Sequence, residues 1–210
     1  MEKQEFESLL DKRVWKKGVV HLAKRDRVLG RIMKKVGYPS FEVHENHYSS
    51  LIISIVSQQI SWAAANSILR RFRLLYNGRM PTPKEYLRTK SEKLRGAGIS
   101  PQKYVYLKDL CERIESGKLE LKKFHKMPNE KIIEELDEVK GIGRWTAEMF
   151  LIFSLGRTDV FPVDDLGIKK SVKEVYGLRD LPDKKRLEKM SGAWHPYGSI
   201  AALYLWHSHD

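Results

Sequence analysis

The sequence predicts an all-α protein, and three observations predict it. Apolar residues recur near helical spacing in almost every segment. No alternating apolar–polar run is long enough to suggest a sheet. Apolar residues make up 41% of the 210 residues, enough for a sizeable buried core. The chain shows no internal repeat, low-complexity segment or exposed linker.

Taken in order, Val20 to Val36 places Val20, Leu22, Val28, Leu29, Ile32 and Val36 on a helix that ends in the breaker GYPS. Tyr48 to Tyr76 is longer and apolar round most of its circumference, so it is expected to be central and buried. Within it, three alanines at 63 to 65 would admit a close helix neighbour. Asn77 and Gly78 end that segment. Short helices follow over Pro83 to Thr89 and Ser91 to Gly96. Another has Pro101 in its first turn and runs to Ser116. Pro128 and Asn129 open a helix to about Glu138, and a further helix runs from about Arg144 to Ser154. After PVDD, a helix carries Ile168 to Tyr176. The tail AWHPYGSIAALYLWHSH gives a last buried helix begun after Pro196.

The formal net charge is +12, which favours a polyanionic partner, nucleic acid first among them. The single cysteine, Cys111, excludes an internal disulfide framework, a cysteine-based zinc site and a four-cysteine iron–sulfur cluster. It fits a reducing compartment. The N-terminus has no signal-peptide apolar run, and no segment has the apolar length of a membrane span. A soluble intracellular protein is expected, in cytoplasm or nucleoid, or in the nucleus of a eukaryote.

Two stretches suggest chemistry. Helix, then V-K-G-I-G, then helix is a helix–hairpin–helix over about residues 129–154. Gly141 and Gly143 allow backbone angles closed to other residues and a close approach to another surface. Ile142 is the plug that anchors the turn. The next helix, opening with Arg144 and followed by Thr146, would present its N-terminal N–H groups to a DNA phosphate. Such a contact positions the duplex without reading sequence. The alternative is an ordinary tight helix–helix turn.

The second stretch is F-P-V-D-D-L-G-I-K-K. Asp164 and Asp165 immediately precede a helix, so one of them is expected to cap it. Asp164 is read as the structural member of the pair. A second carboxylate beside an electropositive surface suits a cationic centre. Near a DNA phosphate that centre is the sugar C1′ as a base departs. A carboxylate there stabilises an oxocarbenium-like transition state and can orient or deprotonate water.

L-x-x-V-K-G-I-G-R-W-T-A together with V-F-P-V-D-D-L-G-I-K resembles the helix–hairpin–helix DNA glycosylases. The likeness is strongest to the alkylation-repair branch, 3-methyladenine DNA glycosylase II. It extends to LIISIVSQQISWAAANSILRRF, LRGAGISPQKYVYLKDL and WHPYGSIAALYLW, and covers roughly residues 20–207. The resemblance implies a fold of two helical subdomains with the active cleft between them. Residues 1–46 and 164–210 would form one subdomain and 47–163 the other.

The resemblance also implies roles. Asp165 matches the catalytic aspartate. Trp145 stands where bifunctional relatives place a Schiff-base lysine, which implies a monofunctional enzyme using water as nucleophile. Trp145 and Trp206 match aromatic pocket positions that would favour a cationic alkylated purine; the alternative for both is core packing. The closing helix is expected to return Trp206 to Asp165. Gln59 matches the residue that wedges into the duplex as the damaged base flips out, with Gln58 supporting the same loop end. The alternative is a buried glutamine at a helix bend. Ser61 is read as a cap or packing residue. The carbonyls of Val139 and Ile142 match positions that hold a sodium or potassium ion; no other cofactor is implied.

There are departures. No counterpart of the β-rich N-terminal domain of the well-known bacterial form is expected in these residues, the wedge is polar, Met149 replaces an aromatic pocket residue, and Gly198 sits where arginine is frequent. These bear on substrate range more than on reaction. The implied function is hydrolytic excision of alkylated purines such as 3-methyladenine from double-stranded DNA, by a monomer. The alternatives are a glycosylase for hypoxanthine, uracil or 8-oxoguanine, and a DNA-binding module without catalysis.

Overall fold

A computed structural model describes residues 6–44 and 46–208. Twelve α-helices and one short 3-10 helix, Leu121–Lys126, account for nearly all regular structure among them. The sole β feature among these residues is an isolated bridge between Ser8 and Arg157. The chain divides into two units, Met1–Glu45 with Leu151–Asp210, and Asn46–Phe150.

The terminal unit contains α1 (Lys12–Arg25), α2 (Arg27–Val36), α10 (Leu166–Val175), α11 (Lys184–Ser191) and α12 (Gly198–Trp206). Every residue of α12 from Gly198 to Leu205 is buried, as its unbroken apolar run requires. The helix expected over Val20 to Val36 is two helices, because Asp26 stops one and starts the next. Its N–H donates to Leu22 O at 2.8 Å, closing α1. Its Oδ1 accepts from the N–H groups of Val28 and Leu29, capping α2. Its Oδ2 accepts from Tyr176 Oη at 2.6 Å and from Trp194 Nε1 at 3.1 Å, which fixes the corner against the rest of the unit.

The central unit contains α3 (His47–Ser57), α4 (Trp62–Leu74), α5 (Pro83–Arg88), α6 (Ser91–Gly96), α7 (Pro101–Glu115), α8 (Asn129–Asp137) and the start of α9 (Arg144–Phe153). Its core includes Leu51, Ile52, Ile55 and Val56 of α3 with Leu107, Leu110 and Cys111 of α7, all without solvent exposure. Cys111 meets the Tyr48 hydroxyl at 3.2 Å, and burial pushes its thiol up to about 12. The thiol is therefore a packing group.

The apolar run from Tyr48 to Tyr76 is not one buried helix. It breaks at Gln58–Ser61, and α4 buries only Ala65, Leu69 and Phe72. Ala63 and Ala64 are exposed, so the alanine run offers one small contact rather than a close-packed stripe.

The boundary between the units also falls elsewhere than the 163/164 position expected from sequence. Residues 151–163 are bonded to the terminal unit's own segments. Leu9 N–H donates to Gly156 O, Ser199 N–H to Thr158 O, and Val160 N–H to Ser199 Oγ, each at 2.8 to 2.9 Å.

Candidate active site

In the terminal unit, the turn at Pro162–Asp165 delivers the acid pair. Asp165 N–H donates to Pro162 O at 3.0 Å, and Asp165 is the N-cap of α10. Its Oδ1 accepts the Ile168 N–H at 2.8 Å and the Trp206 indole N–H at 3.0 Å. Two donors on one oxygen hold the carboxylate in a single orientation. The closing helix α12 thus returns Trp206 to Asp165, as expected. The Trp206 ring also lies against Phe153, with centroids 5.7 Å apart.

The roles within the acid pair differ from the expected division. Asp165, not Asp164, caps the helix. The Asp164 side chain is half exposed and faces only Lys169 at 3.6 Å and Lys184 at 3.7 Å. Capping needs extended backbone one residue before the helix, and Asp165 has it, at φ −66° and ψ 124°.

Gly167 is a residue that the sequence reading missed. A Cβ on it would come within 3.0 Å of Asp165 Oδ1 and 3.4 Å of the Trp206 ring. The close indole–carboxylate contact needs this glycine, and the D-D-L-G spacing was its signal.

In the central unit, the hairpin between α8 and α9 has the expected plug: Ile142 is buried, and its N–H donates to Val139 O at 3.0 Å. Only Gly141 requires a left-handed backbone, at φ +81°. A Cβ there would fall 2.1 Å from the Tyr106 ring, so Gly141 is demanded by both conformation and packing. Gly143 has open space around it and no such angle, which leaves it free for close approach rather than for the turn itself. The Asp109 carboxylate accepts the Lys140 N–H at 3.0 Å and fixes the hairpin's entry.

At the start of α9, Arg144 is held by Glu130 through two bonds at 3.0 and 2.7 Å, and by Glu148 at 3.1 Å. The Glu130 carboxylate lies below its usual range because Arg144 donates to it. Thr146, expected to face a phosphate, is buried. Trp145 is 45% exposed on the same turn, and Met149 one turn further is half-buried.

The turn between α3 and α4 carries Gln58 and Gln59. The Gln58 amide donates to Gly141 O at 2.7 Å, tying this turn to the hairpin. Gln59 is exposed and has φ +58°, an angle uncommon for a residue with a Cβ. Ser61 caps α4, its Oγ accepting the Ala64 N–H at 3.3 Å. Lys103, also missed from sequence, donates to Val56 O at 2.6 Å beside this turn.

No group of three or more His, Cys, Asp or Glu among the described residues is gathered to hold a metal ion. No helix among them is long and apolar enough to cross a membrane.

Residues 52–196 match the family described as HhH-GPD superfamily base excision DNA repair protein. The chain is 36% identical over 197 residues to the alkylbase DNA glycosidase-like protein mag2 of Schizosaccharomyces pombe, covering 91% of this chain and 92% of that one. It resembles the solved structure of the S. pombe 3-methyladenine DNA glycosylase Mag1 in complex with abasic DNA. The two are 39% identical with a TM-score of 0.80, over 90% of this chain and 95% of that one. It also resembles a DNA-3-methyladenine glycosidase structure from Bacillus halodurans, at 36% identity and a TM-score of 0.85, over 97% and 91% of the two chains.

Proposed function

The chain belongs to the HhH-GPD superfamily of base excision DNA repair proteins, and from that premise we propose that it is a monofunctional DNA N-glycosylase. It binds double-stranded DNA, flips out alkylated purines such as 3-methyladenine, and hydrolyses their N-glycosidic bond. The observation that carries this reading is the Asp165 carboxylate, oriented by α10 and by the Trp206 indole. The names of the similar proteins support the substrate class. Mag1 was solved with abasic DNA, the species that base release leaves behind.

In this reading the bond from C1′ to the purine nitrogen lengthens first, and positive charge develops on the sugar. The bond's electron pair leaves with the base, and Asp165 stabilises the sugar's charge and directs a water, whose oxygen bonds to C1′ as its proton passes to the Asp165 carboxylate. The products are a free base and an abasic site. A base that already carries positive charge is a good leaving group. Trp145 and Trp206 offer it electron-rich faces. Trp145 has no amine, so the chain lacks a Schiff-base nucleophile at that position.

The hairpin at Gly141–Gly143 and the first turn of α9 hold a phosphate through backbone N–H groups. The helix N-terminus adds its partial positive charge. Gln59 enters the duplex in place of the flipped base. A sodium or potassium ion on the carbonyls of Val139 and Ile142 belongs to the same proposal. Val139 O accepts the Ile142 N–H and Gly141 O accepts the Gln58 amide; each keeps a second lone pair, so Val139 O can still face a cation. The ion would add positive charge beneath the phosphate.

The test is a base-release panel on one duplex context carrying 3-methyladenine, 7-methylguanine, hypoxanthine, uracil or 8-oxoguanine in turn. Release of free alkylated purine, with no strand cleavage until alkali is added, is the expected result. Release of only an unalkylated lesion, or cleavage without alkali, overturns it.

A further inference from the structure

We infer that Lys103 is a positioning residue for the Gln59 turn, holding the end of α3 so that Gln59 stays aimed out of the protein. The inference rests on the reading of Gln59 as the duplex wedge. Helices leave their last carbonyls without partners, and Val56 O is one of these in α3. Four residues on, the chain has turned at Gln58–Ser61 and returns no N–H to it. Val56 is fully buried, so water does not serve it from its own side chain's surroundings. The Lys103 ammonium reaches across from the first turn of α7 and donates to that carbonyl at 2.6 Å.

The contact has a cost and a return. Burial pushes the Lys103 ammonium below its usual range, which marks a charge taken from water for this contact. In return, a cation sits at the negative end of the α3 dipole. Lys103 itself is placed by Ser100, whose Oγ accepts its N–H at 3.3 Å.

The turn so held includes a residue in an unfavourable conformation. Gln59 at φ +58° persists only where its neighbours over-determine the backbone. Three attachments do so. Lys103 clasps Val56 before the turn, the Gln58 amide clasps Gly141 O within it, and Ser61 caps α4 after it. Two of them come from elements distant in sequence, and Lys103 is the only one of the three that carries charge. A rigid turn presents the wedge ready-made, so ordering it costs nothing at the moment of base flipping.

The experiment compares Lys103→Met, Lys103→Arg, Gln59→Ala and the double variant Gln59→Ala/Lys103→Met. Amide hydrogen exchange is followed at Gln59 and Ile60 in the DNA-free protein, single-turnover excision on 3-methyladenine DNA, and affinity for undamaged duplex against salt. Lys103→Met should raise exchange at the turn and slow excision, each by about tenfold, the scale of one charge-assisted hydrogen bond. Lys103→Arg should restore both. In the Gln59→Ala background, Lys103→Met should add less than about a twofold further loss, as expected of two residues acting through one element.

Unchanged exchange in Lys103→Met overturns the inference, whatever the activity shows. So does a salt slope lowered by about 0.9, which would make Lys103 a phosphate contact. Full additivity on an impaired Gln59→Ala overturns the role of Lys103 alone. Wild-type excision by Gln59→Ala overturns the wedge reading and this inference with it.

Discussion

Trp206 donates its indole N–H to Asp165 Oδ1 at 3.0 Å, the same oxygen that caps α10. The residue implied as catalytic is therefore built into the fold at a helix start and steered by a side chain from the closing helix. Trp206→Phe removes the indole N–H donor together with the five-membered ring, and leaves a smaller aromatic face against Phe153. Excision should fall by roughly tenfold or more, since hydrogen bonds to charged groups contribute about 1.5–3 kcal/mol. Affinity for undamaged duplex should stay within about twofold, because the indole N–H faces protein rather than phosphate. Single-turnover rates and equilibrium binding on the same preparation check this.

The two hairpin glycines should separate cleanly. Gly141→Ala meets a left-handed angle and the Tyr106 ring at once, so it should destabilise the protein by about 2 kcal/mol or more. Gly143→Ala meets neither and should leave unfolding nearly unchanged, while weakening DNA affinity by blocking close backbone approach. Chemical denaturation and binding isotherms of both variants provide the comparison.

Much of this was legible in the sequence, and the failures have physical causes. The hairpin, the helix following the acid pair and the last buried helix rest on local turn chemistry and on a strongly apolar tail, so they could be read; the return of Trp206 to Asp165 was implied by the family resemblance. The corner at Asp26 could not, because a single carboxylate ends α1 and begins α2 without a glycine or proline to mark it. Helix α11 buries only Leu187 among its eight residues, so it has no apolar period to detect. The division of labour between Asp164 and Asp165 depends on a one-residue register that composition does not set. Lys103 gives no local signal at all, since its partner lies 47 residues away.

Asp164→Asn should be nearly silent. Its lysine contacts are at 3.6 and 3.7 Å on a half-exposed side chain, and exposed pairs contribute about 0–1 kcal/mol. Melting temperature and excision rate should both stay close to wild type. A dead Asp164→Asn enzyme would reverse the assignment within the pair.

Glu85 gives an acid-side prediction independent of catalysis. Arg79 above all, with the Thr82 N–H, holds its carboxylate at about 2, against an ordinary value of 4.5. The folded-state value is depressed, so the stabilisation is present above about 4.5 and is lost as pH falls toward about 2. Glu85→Gln should lower the melting temperature near neutral pH, and the gap to wild type should close across that window. A gap that persists at pH 2 would place the effect in packing rather than charge.

The central claim is that the negative charge of Asp165 performs the chemistry, and Asp165→Asn tests it most directly. Asparagine caps helices as well as aspartate does, and its Oδ1 can still accept from Ile168 and Trp206, so the fold and the geometry should survive. Only the charge facing the sugar is lost. Single-turnover release of 3-methyladenine should fall on the order of a hundredfold or more, with lesion-DNA binding kept or improved and melting temperature little changed. A folded Asp165→Asn protein that releases the base at the wild-type rate would contradict the account.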